Sequence, residues 1–307
     1  MDKYSAFIKN KSLNIKKISG NKNNHSFMIG KKSKRQFIKV FKRKSSFQRE
    51  LNFYSNFKNS IIKKNIPKIL LYSEKEKYII LEFIEFKKFN SQEEYLKCLY
   101  KFIVDTNSVV IKDKWNSREK LKSPKNLIHK IELRIKKLML ISKKNNSKHP
   151  KLKILLKLLT KKLNAIKDKV AFKKISKNKE IISQSDIGIH NSGIINGRPV
   201  FFDFEYSGMD NPIKMISDIY YQPELSIKYE NYKIFLKKLI KHFDYKFNKN
   251  DILIEQLLKI KMIMNICNIF VKKKYILNNM NELYLENLKK KRLIKCFKIF
   301  KKKSFLA

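Results

Sequence analysis

The chain has 307 residues, of which 43% are hydrophobic and 12% aromatic, so it can bury a sizeable core and is not a disordered chain. Six glycines and six prolines are few for this length, which argues against a turn-rich all-β fold. The formal net charge is +46, but only seven of the 72 basic residues are arginines. Lysine excess without arginine clusters is typical of nucleotide bias in an A+T-rich genome, so we expect no nucleic-acid partner.

The first 86 residues contain short apolar segments of strand length and one helix. The helix is expected across 46–59, where apolar residues recur at spacings of four and three. Ser45 and Ser46 are its candidate N-caps. The predicted strands are 13–18, 26–30, 36–41, 66–70 and 77–86, and the last is apolar enough for a central strand.

From Ser91 onward the pattern becomes helical. Ser91 and Glu94 have the spacing of a capping box at the start of the first of these helices. We therefore predict an α+β fold with a small β-rich N-terminal part, residues 1–86, and a larger helical part, residues 87–307. The predicted helices are 91–107, 127–142, 151–170, 229–243, 251–272 and 280–301, with a surface loop at 142–150.

Cysteine usage and hydropathy indicate the compartment. Cys98, Cys267 and Cys296 are far apart in sequence and form no Cys-x-x-Cys pair, which is typical of reduced thiols in a cytoplasmic protein. The N-terminus lacks a hydrophobic signal core, and no apolar run approaches the roughly 18 residues of a membrane span, so we expect none. No sequence feature indicates an oligomeric state.

Residues 184–206, QSDIGIHNSGIINGRPVFFDFEY, differ from the lysine-rich helices around them. The Asn-Gly pair at 196–197 lies between two apolar runs and favours a tight type I′ hairpin turn. Such a hairpin would gather Asp186, Asn191 and Asp203 at one end. Carboxylate and amide oxygens suit Mg²⁺, and two neighbouring aspartates need a cation or a lysine to offset their repulsion.

Each of these three side chains also has a possible local role. Asp186 could cap a turn, Asn191 could form an Asx-turn, and Asp203 could end a strand. Their occurrence within eighteen residues, on both sides of one hairpin, favours a shared function.

These residues resemble the aminoglycoside phosphotransferase and choline kinase-like family, whose members are small-molecule kinases with a two-lobed protein-kinase-like fold. That family carries H-x-D-x-x-x-x-N, a short hairpin and then D-x-[DE]. The resemblance implies that Asp186 is the catalytic aspartate and that Asn191 and Asp203 hold Mg²⁺. The chain departs from the pattern at Gln184, where the family usually has the histidine.

The resemblance also implies a nucleotide site in the N-terminal part. Lys39, on a predicted strand, would contact the α- and β-phosphates of ATP and would pair with Glu50 on the following helix. The turn before residue 26 would be the phosphate loop, in which Gly20 is the one glycine and Asn24 a further contact. The segment 82–86 would be the hinge that binds adenine, with contacts at Glu82 and Ile84.

Together these features predict an enzyme, an ATP- and Mg²⁺-dependent phosphotransferase acting on a hydroxyl group of a small molecule. The acceptor is expected to be a sugar, an amino alcohol or a surface-glycan precursor. A chain of +46 repels polycationic aminoglycosides, so a sugar or an anionic glycan precursor suits the charge better. Choline would need an aromatic cage, for which Trp115, Tyr220 and Tyr221 are candidates.

Two alternatives stay open at this point. The first is a degenerate kinase-fold protein that binds nucleotide or a partner without turnover, which Gln184 and the glycine-poor loop favour. The second is an electrostatic nucleic-acid binder built on the basic helices at 120–180 and 286–303.

Overall fold

The computed structural model describes residues 15–18, 24–30, 35–144, 149–170, 173–175, 178–225, 227–271 and 281–306. The chain divides into two compact units, Met1–Glu119 with Ile181–Met209 and Lys120–Glu180 with Asp210–Ala307. These bounds are not those of the predicted parts 1–86 and 87–307, and that division stays a prediction.

The first unit contains an antiparallel five-stranded sheet in the order β1-β2-β3-β5-β4. Its strands are β1 (Ile15–Lys17), β2 (Asn24–Ile29), β3 (Gln36–Phe41), β4 (Ile69–Ser73) and β5 (Tyr78–Glu82). Ile38 and Val40 belong to an apolar cluster with Ile29 and Ile80. Because side chains alternate along a strand, Lys39 points to the opposite face of the sheet.

Two predicted strands differ from the structure at their ends. The strand predicted at 66–70 lies at Ile69–Ser73, since Pro67 has no N–H to donate to the ladder. The strand predicted at 77–86 ends at Glu82. Residues beyond it leave the sheet and pair at Lys87 with a later strand.

Helix α1 (Lys44–Phe57) has Arg43 at its N-cap, with no side-chain capping bond. The prediction that Ser45 or Ser46 caps it is wrong, because the helix begins before both serines. Its buried face agrees with the predicted periodicity and also includes Glu50.

Helix α2 (Gln92–Asn107) begins as its sequence predicts. The Ser91 hydroxyl accepts from the Glu94 N–H at 3.1 Å, and the Glu94 carboxylate accepts from the Asn90 N–H at 2.7 Å. Asn107, at the other end, exchanges two side-chain hydrogen bonds with the backbone of Ile182. These bonds hold the segment that precedes residues 184–206.

Four further strands are short. β6 (Ile181–Ser183) pairs with β9 (Gly208–Asp210), and β7 (Ser192–Ile195) forms a hairpin with β8 (Arg198–Phe201). Asn196 and Gly197 form its turn with φ of 47° and 75°, the positive values of a type I′ turn. The hairpin predicted from the Asn-Gly pair is therefore present.

The second unit is mostly helical. Its helices are α3 (Pro124–Lys144), α4 (Pro150–Val170), α5 (Pro212–Tyr220), α6 (Tyr229–Phe243), α7 (Lys249–Ile266) and α8 (Glu282–Lys301). Helix α7 packs against α3, α4, α5 and α8, and its buried residues lie all around its axis, as in a central core helix.

Cys267 and Cys296 are buried free thiols whose sulfur atoms lie 3.6 Å apart. No helix within the described ranges is long and apolar enough to cross a membrane.

The structure confirms the α+β class. The large sheet is confined to residues 15–82, and most residues from 92 onward are helical. Helix ends differ from the predicted ones by a few residues, as expected when helix termini are read from sequence.

Glu255 of α7 is a buried carboxylate with two hydroxyl donors, Tyr221 and Ser304, the latter at 2.6 Å. Burial raises the pKa of Glu255 to about 7. Burial also lowers the pKa of Lys259 and that of Lys302 to about 8.

The raised pKa of Glu255 predicts a pH dependence of stability. Between pH 4.5, the ordinary pKa of a glutamate, and about pH 7, Glu255 binds a proton in the folded protein and releases it in the unfolded chain. The free energy of unfolding should therefore fall as pH rises through this window, by roughly 3 kcal/mol. Urea denaturation from pH 4.5 to 7.5 should show this fall in the native protein relative to Glu255→Gln. A difference between the two proteins that stays constant with pH would contradict the prediction.

Candidate active site

Lys39, Glu50 and Asp203 form an ion-pair triad in which Lys39 and Glu50 are buried and Asp203 is partly exposed. The Lys39 ammonium lies 2.5 Å from the Glu50 carboxylate and 2.6 Å from Asp203 Oδ1. Burial by itself would lower the pKa of Lys39, but the Asp203 and Glu50 carboxylates outweigh it and raise that pKa above its ordinary value. Lys39 is therefore a permanent cation, and the expected Lys39–Glu50 pair is present.

Three separate elements supply the triad. Lys39 projects from β3, Glu50 from the buried face of α1, and Asp203 follows β8. Asp203 has φ of 67°, a left-handed conformation that aspartate tolerates better than most residues.

The loop from Asp186 to Asn191 is held by its own hydrogen bonds. The Asn191 side-chain amide donates to the Asp186 carbonyl at 3.0 Å, which leaves Asn191 Oδ1 available as an acceptor. The Tyr95 hydroxyl donates to the Ile187 carbonyl at 3.1 Å, and the Ser192 hydroxyl donates to Gly188 at 3.1 Å. The Asp186 carboxylate remains about half-exposed.

His190 is a further side chain of this loop, and sequence reasoning missed it. Its Nε2 lies 3.9 Å from Asp186 Oδ1. Asp186 precedes the single turn of 3₁₀ helix, Ile189–Asn191, that carries His190, and no sequence pattern signals their approach.

A cavity of about 570 Å³ lies beside the triad. Its apolar lining includes Phe37, Leu81 and Phe202. Asp186 and Asn24 are not among the described residues that line it, and Gly20 lies outside the described residues. The predicted site residues that line the cavity are Lys39, Glu50, Glu82, Ile84, Asn191 and Asp203.

The residue that follows the predicted hinge is bonded directly to the hairpin. Lys87 and Ile194 exchange two backbone hydrogen bonds, at 2.9 and 2.8 Å. Gly193 lies so close to the hinge that a Cβ there would come within 2.3 Å of the Phe86 ring and 2.7 Å of the Lys87 carbonyl oxygen. Glycine is required at 193 for this close approach.

Glu205 is a second residue that sequence reasoning missed. Asn24, on β2, donates to the buried Glu205 carboxylate at 2.8 Å, and Arg49 donates to the Glu205 carbonyl at 2.9 Å. Asn24 therefore joins the strand after the predicted phosphate loop to the segment that carries Asp203. The second acidic position of the D-x-[DE] motif was the signal for Glu205.

Gln184 is buried, and neither atom of its side-chain amide has a hydrogen-bond partner among the described residues. Leaving buried polar groups unpaired costs about 1–3 kcal/mol. Gln184 is therefore a destabilising residue next to the loop.

Gln184→Met is expected to raise the free energy of unfolding by about 1 kcal/mol or more, because it removes the unpaired amide at similar volume. Urea denaturation would measure the change. Gln48→Met is the matched control, since Gln48 bonds to Asn52 at 2.9 Å and its replacement should bring no gain. Destabilisation by Gln184→Met would show that the amide is paired in solution.

Asn191 and Asp203 fit a magnesium ion in chemistry and number. Asp203 Oδ1 is bonded to Lys39, so Oδ2 and Asn191 Oδ1 are the oxygens left at the cavity. Mg²⁺ commonly takes one or two protein ligands and completes its shell with water and phosphate oxygens. The described residues contain no cluster of three or more His, Cys, Asp or Glu side chains that could hold a metal by itself.

Two of the proposed cage residues are core residues. Tyr220 and Tyr221 are almost fully buried and contact the Phe305 ring. The Trp115 indole donates to the Ser207 carbonyl at 3.0 Å.

Comparison with solved structures identifies the fold. Aminoglycoside phosphotransferase APH(2'')-Ib in its ADP-bound form matches with a TM-score of 0.54 and 15% identity, over 98% of this chain and 99% of that one. Choline kinase LicA from Streptococcus pneumoniae matches with a TM-score of 0.57 and 13% identity, over 97% and 100%. Choline kinase from Cryptosporidium parvum Iowa II matches with a TM-score of 0.56 and 14% identity, over 94% and 89%.

At the sequence level, no protein-family model and no curated protein matches the chain. The structural matches extend over nearly the whole chain at low identity, so they establish the fold. The predicted protein-kinase-like class, α+β with a β-rich N-terminal and a helical C-terminal lobe, is confirmed, and so is the resemblance to aminoglycoside phosphotransferases and choline kinases in fold.

Proposed function

We propose that the protein is an ATP- and Mg²⁺-dependent phosphotransferase that phosphorylates a hydroxyl group of a small molecule. The observation that carries this proposal is the Lys39–Glu50–Asp203 triad beside a cavity that Asn191 also lines. A chain with this fold needs a cation for the phosphates and oxygen ligands for a metal, and this group of side chains contains both.

The cavity suits a nucleotide. Its volume of about 570 Å³ lies within the usual range for small-molecule sites, roughly 300–1,000 Å³. Phe37, Leu81 and Phe202 would contact the adenine ring, and the backbone of Glu82 and Ile84 would hydrogen-bond its edge.

Lys39 would contact the α- and β-phosphates of ATP. Glu50 would hold the ammonium in place, since both side chains are buried and little else can move it. Asn191 and Asp203 would hold Mg²⁺, which when bound neutralises phosphate charge.

Asp186 would act on the acceptor. Its half-exposed carboxylate can receive the proton of a hydroxyl group while the hydroxyl oxygen forms a bond to the γ-phosphorus. The bond between that phosphorus and the β–γ bridging oxygen breaks in the same step, and ADP leaves. The main contribution of the residues is alignment, since phosphoryl transfer needs little covalent assistance.

The acceptor is proposed to be neutral or anionic, such as a sugar or a glycan precursor. The net charge of +46 disfavours polycations, although salt screens that repulsion beyond about 8 Å. The burial of Tyr220 and Tyr221 removes two of the three side chains considered for a choline cage.

The test is a Mg-ATP consumption screen of the full chain against sugars, amino alcohols and glycan precursors, with ATP binding measured with and without Mg²⁺. Acceptor-dependent ADP release supports the proposal. Mg²⁺-dependent ATP binding without turnover on any acceptor would favour the alternative, a kinase-fold protein that binds nucleotide only. Failure to bind ATP would contradict both.

A further inference from the structure

Helices α3 and α4 form a strongly cationic pair within the second unit. Each carries seven basic residues and one acidic residue. Glu132, the acidic residue of α3, lies 3.4 Å from Lys167 of α4 and forms an ion pair with it. Both helices also pack against α7, so each has a buried and an outer face.

The outer faces expose aliphatic side chains. Leu133 and Leu140 of α3 are 55% and 54% exposed, and their spacing of seven places them on one face. Ile154 and Leu158 of α4 are 53% and 38% exposed at a spacing of four. Exposed lysines lie around them, namely Lys130, Lys136, Lys137, Lys151, Lys157 and Lys161.

A cavity of about 530 Å³ lies between the end of α3 and the start of α4. Buried Leu152, Leu156 and Phe270 line it, as do exposed Lys143 and Lys153. The outer faces of α3 and α4 and this cavity therefore both combine aliphatic with cationic side chains.

This chemistry distinguishes between classes of partner. Neither helix contains Phe, Tyr or Trp, and Arg134, the one arginine, is bonded to Asn265. Base-reading and single-strand nucleic-acid sites rely on arginine forks and aromatic stacking, and the hot spots of protein interfaces on Trp, Tyr and Arg. An anionic bilayer instead binds lysines at its headgroups and takes up aliphatic side chains at the acyl boundary.

We infer that the outer face of the α3–α4 pair docks on an anionic lipid membrane. Docking of this kind is peripheral and reversible, and it weakens as salt screens the headgroups. The inference does not depend on the proposed kinase activity.

The experiment is vesicle co-sedimentation of the full-length protein at about 0.15 M salt. Vesicles are made of phosphatidylcholine alone, or with about one third phosphatidylglycerol. Binding to the anionic vesicles is expected to be at least about tenfold tighter. The double variant Leu140→Gln, Ile154→Gln should lose about tenfold in that binding, because two aliphatic insertions are removed.

Ile234→Gln is the matched control, since Ile234 is 59% exposed on α6, outside the proposed surface, and its replacement should leave vesicle binding unchanged. Equal binding to both kinds of vesicle, no binding to either, or full binding by the double variant would overturn the inference. Retention on DNA that the double variant loses, without vesicle binding, would indicate nucleic acid instead. ATP turnover without vesicles should be unchanged in all variants. A failure of the docking inference can therefore be told apart from a failure of the proposed function.

Discussion

Asp186→Asn is expected to lower turnover by at least about 100-fold while ATP binding stays within about threefold of the native value. The amide keeps the size of the carboxylate but cannot accept the hydroxyl proton, and acid–base assistance typically contributes roughly 10²–10⁴-fold. ATP binding should persist because Asp186 is not among the described residues that line the cavity. Steady-state kinetics with an acceptor from the screen, together with calorimetric ATP titration, would measure both.

Asp244→Asn is the matched control for that substitution. Asp244 is exposed just after α6 with φ of 50°, a conformation that asparagine also adopts readily. It should leave turnover unchanged. Near-native turnover in Asp186→Asn would remove Asp186 from the proposed mechanism.

Asp203→Asn is expected to lower kcat/KM by about 1,000-fold or more. Unlike Asp186→Asn, it should also weaken the binding of ATP in the presence of Mg²⁺. The substitution removes a carboxylate that pairs with Lys39 at 2.6 Å and that is proposed to bind Mg²⁺. Loss of metal assistance corresponds to several kcal/mol in the barrier, and each 1.36 kcal/mol is tenfold in rate. ATP titrations with and without Mg²⁺ should show that the variant loses the Mg²⁺-dependent part of binding.

The two variants thus separate the proposed roles. Asp186→Asn should keep the response of ATP binding to Mg²⁺, and Asp203→Asn should lose it. If Mg²⁺ strengthens ATP binding by Asp203→Asn as much as it strengthens ATP binding by the native protein, Asp203 does not hold the metal. Since Lys39 keeps its bond to Glu50, the fold should survive, and circular dichroism would verify this.

Local chemistry explains which parts of the fold could be predicted. The hairpin follows from the Asn196-Gly197 pair, because few other dipeptides accept two successive positive φ values. Helix α2 follows from Ser91 and Glu94, whose bonds span three and four residues. The pairing of Lys39 with Glu50 follows instead from the family resemblance, which places a lysine on a strand and a glutamate on the next helix.

Long-range pairing explains what could not be predicted. Asn24 and Glu205 are 181 residues apart, and no local pattern in either segment specifies the other. The unpaired amide of Gln184 depends on which groups surround it in the described part of the fold, and none of these bonds to it. A sequence does not display such surroundings. The N-cap of α1 also escaped prediction, since Arg43 makes no side-chain capping bond and competes with two serines nearby.

The close contact at Gly193 has a consequence for which substitutions the fold tolerates. Gly193 lies directly against the Phe86 ring and the Lys87 carbonyl oxygen, and Lys87 is bonded to Ile194, so residues 86–87 and the hairpin are fixed at a common spacing. A shift of either segment alone would break these contacts. Under the proposed function, a new acceptor preference is therefore expected to arise through residues outside this junction.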